Sequence, residues 1–195
     1  MIEIDGSQKS GSGTIVRDAV SFSVLTSEEI HLINIRAKRK KPGLRPQHLK
    51  GVESCRQICE GKLEGATIGS REIRFRPGGK INGGKFDWNI GTAGSTTMLA
   101  FTVLPLALFA HKPSTCKVTG GLFQDFAPSA FHLKYILFPI LRKMGGDVDL
   151  KIIRPGYVPK GGGIIKINIS PQKKKIKPIV LLEQGKISEI RLITS

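Results

Sequence analysis

The order of apolar and polar positions along the chain occurs twice. A short strand, IEID, is followed by a Gly/Ser-rich turn, GSQKSGSG, and by an apolar helix, TIVRDAVSFSVLT. Later a second strand, FDWNI, is followed by a similar turn, GTAGST, and by a second apolar helix, TMLAFTVLPLALFA. Gly6 and Gly91, which open the two turns, lie 85 residues apart. Because order and spacing agree, the pattern predicts an internal repeat.

The segments that follow extend this repeat. Each apolar helix precedes a further strand, IHLINIRA or TCKVTGG, and then a more amphipathic helix, RPQHLKGVESCRQICEG or APSAFHLKYILFPILRKMGG. Each half then closes with two strands, within LEGATIGSREIRFRP and VDLKIIRPGYVPKGGGIIKINISP. The sequence therefore predicts tandem βαβαββ units of the α+β class, each with two helices on a four-stranded sheet. Such units pack either helix layer to helix layer or sheet edge to sheet edge.

The repeat suggests a division of the chain into three parts. Residues 1–90 form the first predicted unit and residues 91–171 the second. Residues 172–195 begin with a cationic linker, QKKKIK, and continue as two predicted strands, PIVLLEQ and ISEIRLITS. We expect the partners of these strands to lie outside this chain.

The charge of the chain indicates a polyanionic partner. Lys and Arg number 31 against 15 Asp and Glu, which gives a net charge of +16 and a pI of about 10.1. Nucleic acid is the first candidate and an anionic membrane surface the second, while a generally basic surface is the alternative. The longest apolar run, residues 98–110, is too short to cross a bilayer, so we expect no membrane partner. The N-terminus lacks the features of a signal peptide, and the cysteine pattern favours a reducing, cytoplasmic location.

The stretch NIRAKRKKPGLRPQHL, residues 34–49, carries six cations within ten residues. If the preceding strand runs to Ala37, Arg36 points away from the core and Arg39 follows on the turn. Gln47 and His48 then lie in the first turn of a helix, where the helix dipole favours an anion. The planar fork of arginine suits phosphate groups. The stretch is either a phosphate-binding element or a solvated basic loop in which His48 is merely packed or capping.

The two Gly/Ser-rich turns are candidate anion sites because each precedes a helix. Gly11 and Gly13 belong to the first turn, and Gly91 and Gly94 to the second. Free backbone N–H groups at a helix start bind anions, although a tight turn capped by Ser12 or Thr14 explains the first turn equally well. If the halves are related by pseudo-symmetry, both apolar helices start at one shared cleft.

Taken together, several motifs resemble the RNA 3′-terminal phosphate cyclase family. They occur in the family's order over residues 1 to about 190: IDGS with its Gly-rich turn, Arg17, NIRAKRKKPGLRPQHL, ICEGKLEGATIGSREIRFRPG, IGTAGST, TVLPLALFA, VTGG, APSAF and RPGYVPKGGG. The resemblance implies repeats folded like the C-terminal domain of translation initiation factor 3. It also implies a third repeat and an inserted small domain, whose start we expect within residues 172–195.

The resemblance also implies a reaction. Family members use ATP and a divalent metal, Mg²⁺ or Mn²⁺, to convert an RNA 3′-phosphate into a 2′,3′-cyclic phosphate. A histidine becomes adenylylated, AMP passes to the 3′-phosphate, and the neighbouring 2′-hydroxyl displaces it. Carried over by position, the residues around the RNA end and the ATP phosphates are Arg17, Arg36, Arg39, Gln47 and His48. The residues that would hold the metal are unknown from this chain.

Five positions depart from the family pattern: Ser10 replaces a Glu, Thr14 a Gln, Phe101 a Gln, Leu122 a Thr and Ser129 a Pro. Ser10 lacks a charge and Phe101 an amide, which places metal binding in question. The family's nucleophilic histidine belongs to its last unit, and none of the four histidines here occupies that motif.

Three functional hypotheses follow from these observations. The first is a part of an ATP-dependent cyclase that is inactive by itself and is completed by a missing C-terminal half or by a second copy. The second is a catalytically silent relative that binds RNA in ribosome biogenesis or as a ribonucleoprotein scaffold. The third is general nucleic-acid binding through charge alone.

Overall fold

The fold contains two four-stranded sheets, each built from one half of the chain. The structure is a computed structural model that describes residues 1–190 and 192–194. The first sheet has the order β1-β2-β4-β3 and consists of β1 (Ile2–Asp5), β2 (Ile30–Ile33), β3 (Lys62–Glu64) and β4 (Ile73–Arg76). The second sheet has the order β5-β6-β8-β7 and consists of β5 (Lys85–Asn89), β6 (Ser114–Gly120), β7 (Asp147–Arg154) and β8 (Gly163–Ser170). In both sheets the first two strands are parallel and the other pairs are antiparallel.

Helices connect the strands in the same way in both halves. In the first half α1 (Gly13–Thr26) follows β1, and α2 (Pro46–Cys59) follows β2. In the second half α3 (Thr96–Leu108) follows β5, and a broken helix follows β6. The prediction of two βαβαββ units of the α+β class is therefore confirmed.

The broken helix differs from the continuous helix that the sequence predicts. It consists of α4 (Ala130–His132), a π-helical segment (Leu133–Leu137) and α5 (Phe138–Lys143). Pro139 lies at the start of α5, where its missing N–H group is tolerated because the preceding turn is wider than an α-helical turn. The π-helical segment keeps the chain helical across a residue that would otherwise interrupt the hydrogen bonds.

The two halves pack through their helices. Val16, Val20 and Val24 form a buried stripe on α1, four residues apart, as expected for one face of a helix. Helix α3 is apolar on all sides and contacts α1, α2, β6 and β8, so it lies between the two halves. The buried Ser21 hydroxyl donates to the Thr102 carbonyl at 2.8 Å and links α1 to α3. Helix-to-helix packing is thus the arrangement that forms, and a single hydrophobic core spans both halves.

The division into three parts can be compared with the strand pairing. Strand β5 pairs with β6, so the second sheet begins at Lys85, ahead of the predicted boundary between residues 90 and 91. The described part of the tail beyond Ser170 contains no strand, so PIVLLEQ is not a strand here. The second predicted strand includes Arg191 and Ser195, which lie outside the described residues. No helix within residues 1–190 and 192–194 has the length and apolar character needed to cross a membrane.

Candidate functional site

One pocket forms where the carboxyl ends of β1, β2 and β6 meet the first turns of α1, α2 and α3. Its volume is about 450 Å³. Six chain segments line it: the turn after β1, the start of α1, the loop after β2, the first turn of α2, the segment around Ser95 and the segment around Gln124. The starts of α1 and α3 therefore share one cleft, as the repeat predicts.

All five residues predicted to contact phosphates line this pocket. They are Arg17, Arg36, Arg39, Gln47 and His48. Ser10, Gly13 and Thr14 also line it, whereas the other predicted positions do not; these are Gly11, Gly91, Gly94, Phe101, Leu122 and Ser129. The structure therefore brings the five predicted phosphate-binding residues together at one pocket. That they bind a phosphate stays a prediction.

The turn after β1 is fixed by Asp5. Its carboxylate accepts hydrogen bonds from the backbone N–H and the hydroxyl of Ser7, both at 2.9 Å, and from the Asn34 amide at 3.2 Å. The Ser7 hydrogen bonds and then the Asn34 hydrogen bond lower the pKa of Asp5. Asp5 therefore connects the turn after β1 to the loop after β2, and both lead into the pocket.

The loop after β2 begins earlier than predicted. The strand ends at Ile33, and both Asn34 and Arg36 adopt left-handed backbone angles, with φ of 51° and 54°. The predicted alternation through Ala37 is therefore wrong, because a strand cannot continue through this conformation. Ile35 between them is fully buried and anchors the loop. The turn places the Arg36 side chain at the pocket, where one guanidinium nitrogen donates to the carbonyls of Lys41 and Gly43 at 2.8 and 2.7 Å.

Arg17 lies in the floor of the pocket. Only 9% of its surface is exposed, and one guanidinium nitrogen donates to the Thr14 hydroxyl at 3.0 Å. No described carboxylate forms an ion pair with Arg17, Arg36 or Arg39. Burial lowers the pKa of Arg17, and burial, Arg45 and Arg39 lower that of Arg36. A buried guanidinium without a carboxylate is costly, so this pocket is suited to an anion.

His48 is buried behind these arginines. Its Nδ1 accepts a hydrogen bond from the Arg45 backbone N–H at 3.2 Å, so the capping role left open by the sequence is present. Burial, followed by the charges of Arg36 and Arg17, lowers the pKa of His48 to about 3. The ring is therefore neutral near pH 7, and because Nδ1 is an acceptor its proton is on Nε2. His48 also lines the pocket, so it offers this N–H donor beside the arginines.

Gln47 connects the two halves of the site. Its side-chain oxygen accepts a hydrogen bond from the Ser95 backbone N–H at 3.0 Å, at the start of α3. In the same turn the N–H groups of Gly91 and Gly94 donate to the side chains of Asn89 and Thr92, at 2.8 and 3.1 Å. The second Gly/Ser-rich turn thus directs these N–H groups to protein acceptors.

The sequence analysis missed six residues that line the pocket: Ser95, Met98, Gln124, Asp125, Phe126 and Ala127. Phe126 is fully exposed and has a left-handed backbone with φ of 62°, which is unfavourable for a residue with a side chain. Strained, exposed aromatic residues beside a cleft are typical of ligand contacts. The available signal was the single aromatic residue within the polar segment QDFAP, between two Gly and a Pro.

The family departures fall into two groups. Ser10 and Thr14 lie at the pocket, and the Thr14 hydroxyl accepts the hydrogen bond from Arg17. Phe101 instead lines an apolar groove with Leu104 and Leu137, away from the cations. Leu122 is fully buried, and the Ser129 hydroxyl caps α4 by accepting from the His132 N–H at 3.2 Å. The last three substitutions therefore change packing or capping rather than the pocket.

The described residues do not fit a divalent metal. Within residues 1–190 and 192–194, no group of three or more His, Cys, Asp or Glu side chains is arranged to hold a metal ion. Asp125 is the acidic residue that lines the described pocket. The need for Mg²⁺ or Mn²⁺ stays a prediction.

The family model and two relatives that match this chain carry the same description. A family model described as RNA 3′-terminal phosphate cyclase matches residues 8–187. A protein of Archaeoglobus fulgidus named RNA 3′-terminal phosphate cyclase is 46% identical over 175 residues, which cover 90% of this chain and 53% of that protein. A protein of Staphylothermus marinus with the same name is 40% identical over 190 residues, which cover 97% of this chain and 53% of that protein. The chain spans about half the length of these curated relatives.

Proposed function

Because the chain belongs to the RNA 3′-terminal phosphate cyclase family, we propose that its pocket binds the terminal phosphate of an RNA 3′ end. In the complete reaction ATP supplies the AMP that activates this phosphate, and the product is a 2′,3′-cyclic phosphate. The same cations suit the phosphates of ATP, which share the chemistry of the RNA end. We also infer that each repeat shares the fold of the C-terminal domain of translation initiation factor 3, which the βαβαββ order supports.

The observation that carries this proposal is the unpaired charge of Arg17. Arg17 is 9% exposed, and its guanidinium has no carboxylate partner among the described residues. A terminal phosphate, which is close to doubly charged at neutral pH, repays this desolvation and accepts several hydrogen bonds at once. Two further guanidinium groups, from Arg36 and Arg39, line the same pocket.

Each pocket residue has a role that follows from its contacts. Arg17 is oriented by Thr14, and Arg36 is held by two loop carbonyls, so both are pre-organised before a ligand arrives. Arg39 is exposed and hydrogen-bonds no side chain in the described structure, so it is free to close on the phosphate. We expect the neutral His48 ring to offer its Nε2–H to a phosphate oxygen of the bound end.

We expect none of the four histidines of this chain to become adenylylated. His48 is 5% exposed and caps its helix through Nδ1, while the others lie away from the pocket lining, at His31, His111 and His132. We therefore expect the 195 residues alone to bind the RNA end without cyclising it. ATP- and metal-dependent cyclisation by this chain would overturn that expectation.

A binding titration tests the proposed function. Two RNAs that differ only in a 3′-phosphate or a 3′-hydroxyl are compared at two salt concentrations. We expect the 3′-phosphate RNA to bind about tenfold tighter, since charge-assisted hydrogen bonds contribute about 1.5 kcal/mol or more. Arg39→Ala should remove this difference.

Lys40→Ala is the matched control, because Lys40 is exposed in the same loop but does not line the pocket. It should weaken both RNAs equally through the general charge effect. If the wild-type protein binds both RNAs alike, the pocket is not a terminal-phosphate site.

A catalytically silent RNA-binding relative is the second candidate. Ser10 favours it, because this exposed pocket position lacks the carboxylate that the family pattern carries. Equal binding of both RNA ends, with equal loss of affinity in salt, would support this candidate over the first.

A further inference from the structure

The outer face of the second sheet carries a row of three lysines. Lys117 on β6 lies directly opposite Lys166 on β8, and Lys166 lies directly opposite Lys151 on β7. All three side chains are exposed, whereas their neighbours along each strand point into the core. Adjacent strands are about 4.8 Å apart, so the row spans about 10 Å across the sheet.

This row has little internal compensation. Lys117 forms an ion pair with Asp87 on the neighbouring β5 at 2.9 Å. Lys166 and Lys151 form no ion pair within the described part of the chain. Like charges directly opposite each other destabilise a sheet, so Lys166, with a lysine on both sides, costs folding free energy.

The first sheet shows the opposite arrangement on its outer face. Its transverse row reads Glu3, His31, Arg74 and Glu64, so each of the two acidic residues lies directly opposite a basic one. Such pairs stabilise a sheet. The same fold therefore accommodates a balanced row. The one pair of opposed cations in the first sheet, Lys62 and Arg76, is compensated because Arg76 forms an ion pair with Glu29 at 3.0 Å.

Protection of sheet edges does not explain the row. A lysine on an edge strand prevents pairing with another chain, and this reason applies to Lys151 on β7. Strands β6 and β8 are internal to the sheet, so Lys117 and Lys166 protect no edge. A ligand that repays the repulsion has to be an extended anion, because the cations form a line rather than a pocket.

We propose that the lysine row binds the phosphodiester backbone of RNA, outside the pocket that takes the terminal phosphate. Lysine contacts phosphates as a point charge and without base specificity, which suits the body of an RNA. The row is also close enough for one RNA to reach both sites. Lys117 precedes Gly120 by about 10 Å along β6, and the segment after β6 lines the pocket. The link to the RNA end rests on the proposed function, whereas backbone binding by the row does not.

The test measures how the affinity of the protein depends on the length of the RNA and, separately, on its 3′ end. The ligands are a trinucleotide and an RNA of about 20 nucleotides, each with a 3′-phosphate or a 3′-hydroxyl. Their affinities are measured at several salt concentrations for wild type, for Lys166→Gln and for the triple Lys117/Lys151/Lys166→Gln variant. Each lysine that contacts the backbone of a single strand contributes about 0.7 to the slope of log affinity against log salt. We expect the triple variant to lose about 2 from this slope with the long RNA. Binding of the trinucleotide should be unchanged, since it occupies the pocket alone.

Two controls separate binding from folding. Lys62→Gln makes the same charge change on the outer face of the first sheet and should leave the slope for the long RNA near that of wild type. Lys166→Gln should leave the melting temperature unchanged or raise it, because it removes the like-charge contacts.

The outcomes are distinct from those of the proposed function. A wild-type slope for the triple variant with the long RNA would overturn the proposal, as would an equal loss with the trinucleotide. If the triple variant instead loses binding to anionic phospholipid vesicles while its RNA binding is unchanged, the row is a membrane-facing surface and the proposal fails. If the wild-type protein binds 3′-phosphate and 3′-hydroxyl RNA equally, only the assignment of the pocket to the terminal phosphate is overturned. The effect of the lysine row on the salt slope is still measurable, since it is determined with 3′-hydroxyl RNA.

Discussion

A methyl group added at Gly13 would lie 2.1 Å from Nε2 of His48. Gly13 begins α1, and His48 lies in the first turn of α2, so the close approach of two helix starts depends on this glycine. The contact places the neutral imidazole against the turn after β1 and beside Arg17. The missing side chain at residue 13 is therefore part of how the pocket is built.

Gly13→Ala should displace the imidazole and weaken binding of 3′-phosphate RNA at least tenfold. The forced contact should also lower the free energy of unfolding by about 1–3 kcal/mol, the usual cost of overpacking. Titration with 3′-phosphate RNA and denaturant unfolding measure the two effects. Gly51→Ala is the control, because a methyl group there would meet Thr102 at 3.7 Å, an ordinary contact, within the same helix as His48. Binding by Gly13→Ala at the wild-type level would show that His48 does not need this position.

Arg17→Met should stabilise the free protein and abolish its stabilisation by phosphate. The unpaired guanidinium is costly to bury, and methionine fills a similar space without a charge, so we expect a gain of about 1 kcal/mol in the free energy of unfolding. Thermal unfolding with and without inorganic phosphate measures both quantities.

Arg71→Met is the comparison for this experiment, because Arg71 is exposed and its side chain makes no hydrogen bond or ion pair in the described structure. It should change the stability by less than about 0.5 kcal/mol and keep the response to phosphate. A phosphate response that persists in Arg17→Met would exclude Arg17 as the main anion contact.

The repeat was predictable because its signals are local. Strand, turn and helix patterns recur with the same order, and residues such as Val16, Val20 and Val24 mark the buried face of a helix without any knowledge of the fold. The shared cleft also followed from the repeat, because equivalent turns in related halves meet at one place.

Other features depend on contacts that the sequence does not display. The left-handed backbone at Arg36 is set by burial of Ile35 and by the hydrogen bonds of the loop, so a strand pattern through Ala37 was misleading. The capping oxygen that Gln47 offers to Ser95 crosses between the two halves and has no local signal. Phe126 was missed because a single aromatic residue in a loop has no periodicity.

The stability of the protein should depend on pH through His48. Its pKa falls from 6.5 to about 3 on folding, so between these values the unfolded chain binds this proton and the folded protein does not. The stability that the neutral His48 contributes is therefore fully present above pH 6.5. As the pH falls below 6.5, the free energy of unfolding decreases by about 1.4 kcal/mol per pH unit until the pH approaches 3. Denaturant unfolding from pH 7 to pH 4 measures this slope.

His48→Asn should remove this part of the slope, because asparagine keeps an acceptor for the Arg45 N–H but does not titrate. An identical slope in wild type and His48→Asn would show that the burial of His48 has no effect on its protonation.

We expect Phe126 to lower the stability of the folded protein and to strengthen its binding of RNA. Its left-handed backbone is unfavourable for phenylalanine, and its ring is fully exposed, so the folded protein gains nothing from it. Phe126→Gly should therefore raise the free energy of unfolding by about 1 kcal/mol, because glycine adopts this conformation readily.

The ring of Phe126 lies at the mouth of a cationic pocket, where it can stack on the base next to the terminal phosphate. The same variant should weaken binding of 3′-phosphate RNA by about 1–3 kcal/mol, while Phe126→Trp keeps the affinity. An RNA whose terminal nucleotide lacks a base should bind wild type and Phe126→Gly equally. If Phe126→Gly gains stability and binds the normal RNA as wild type does, the ring has no part in recognition and its strained backbone has another cause.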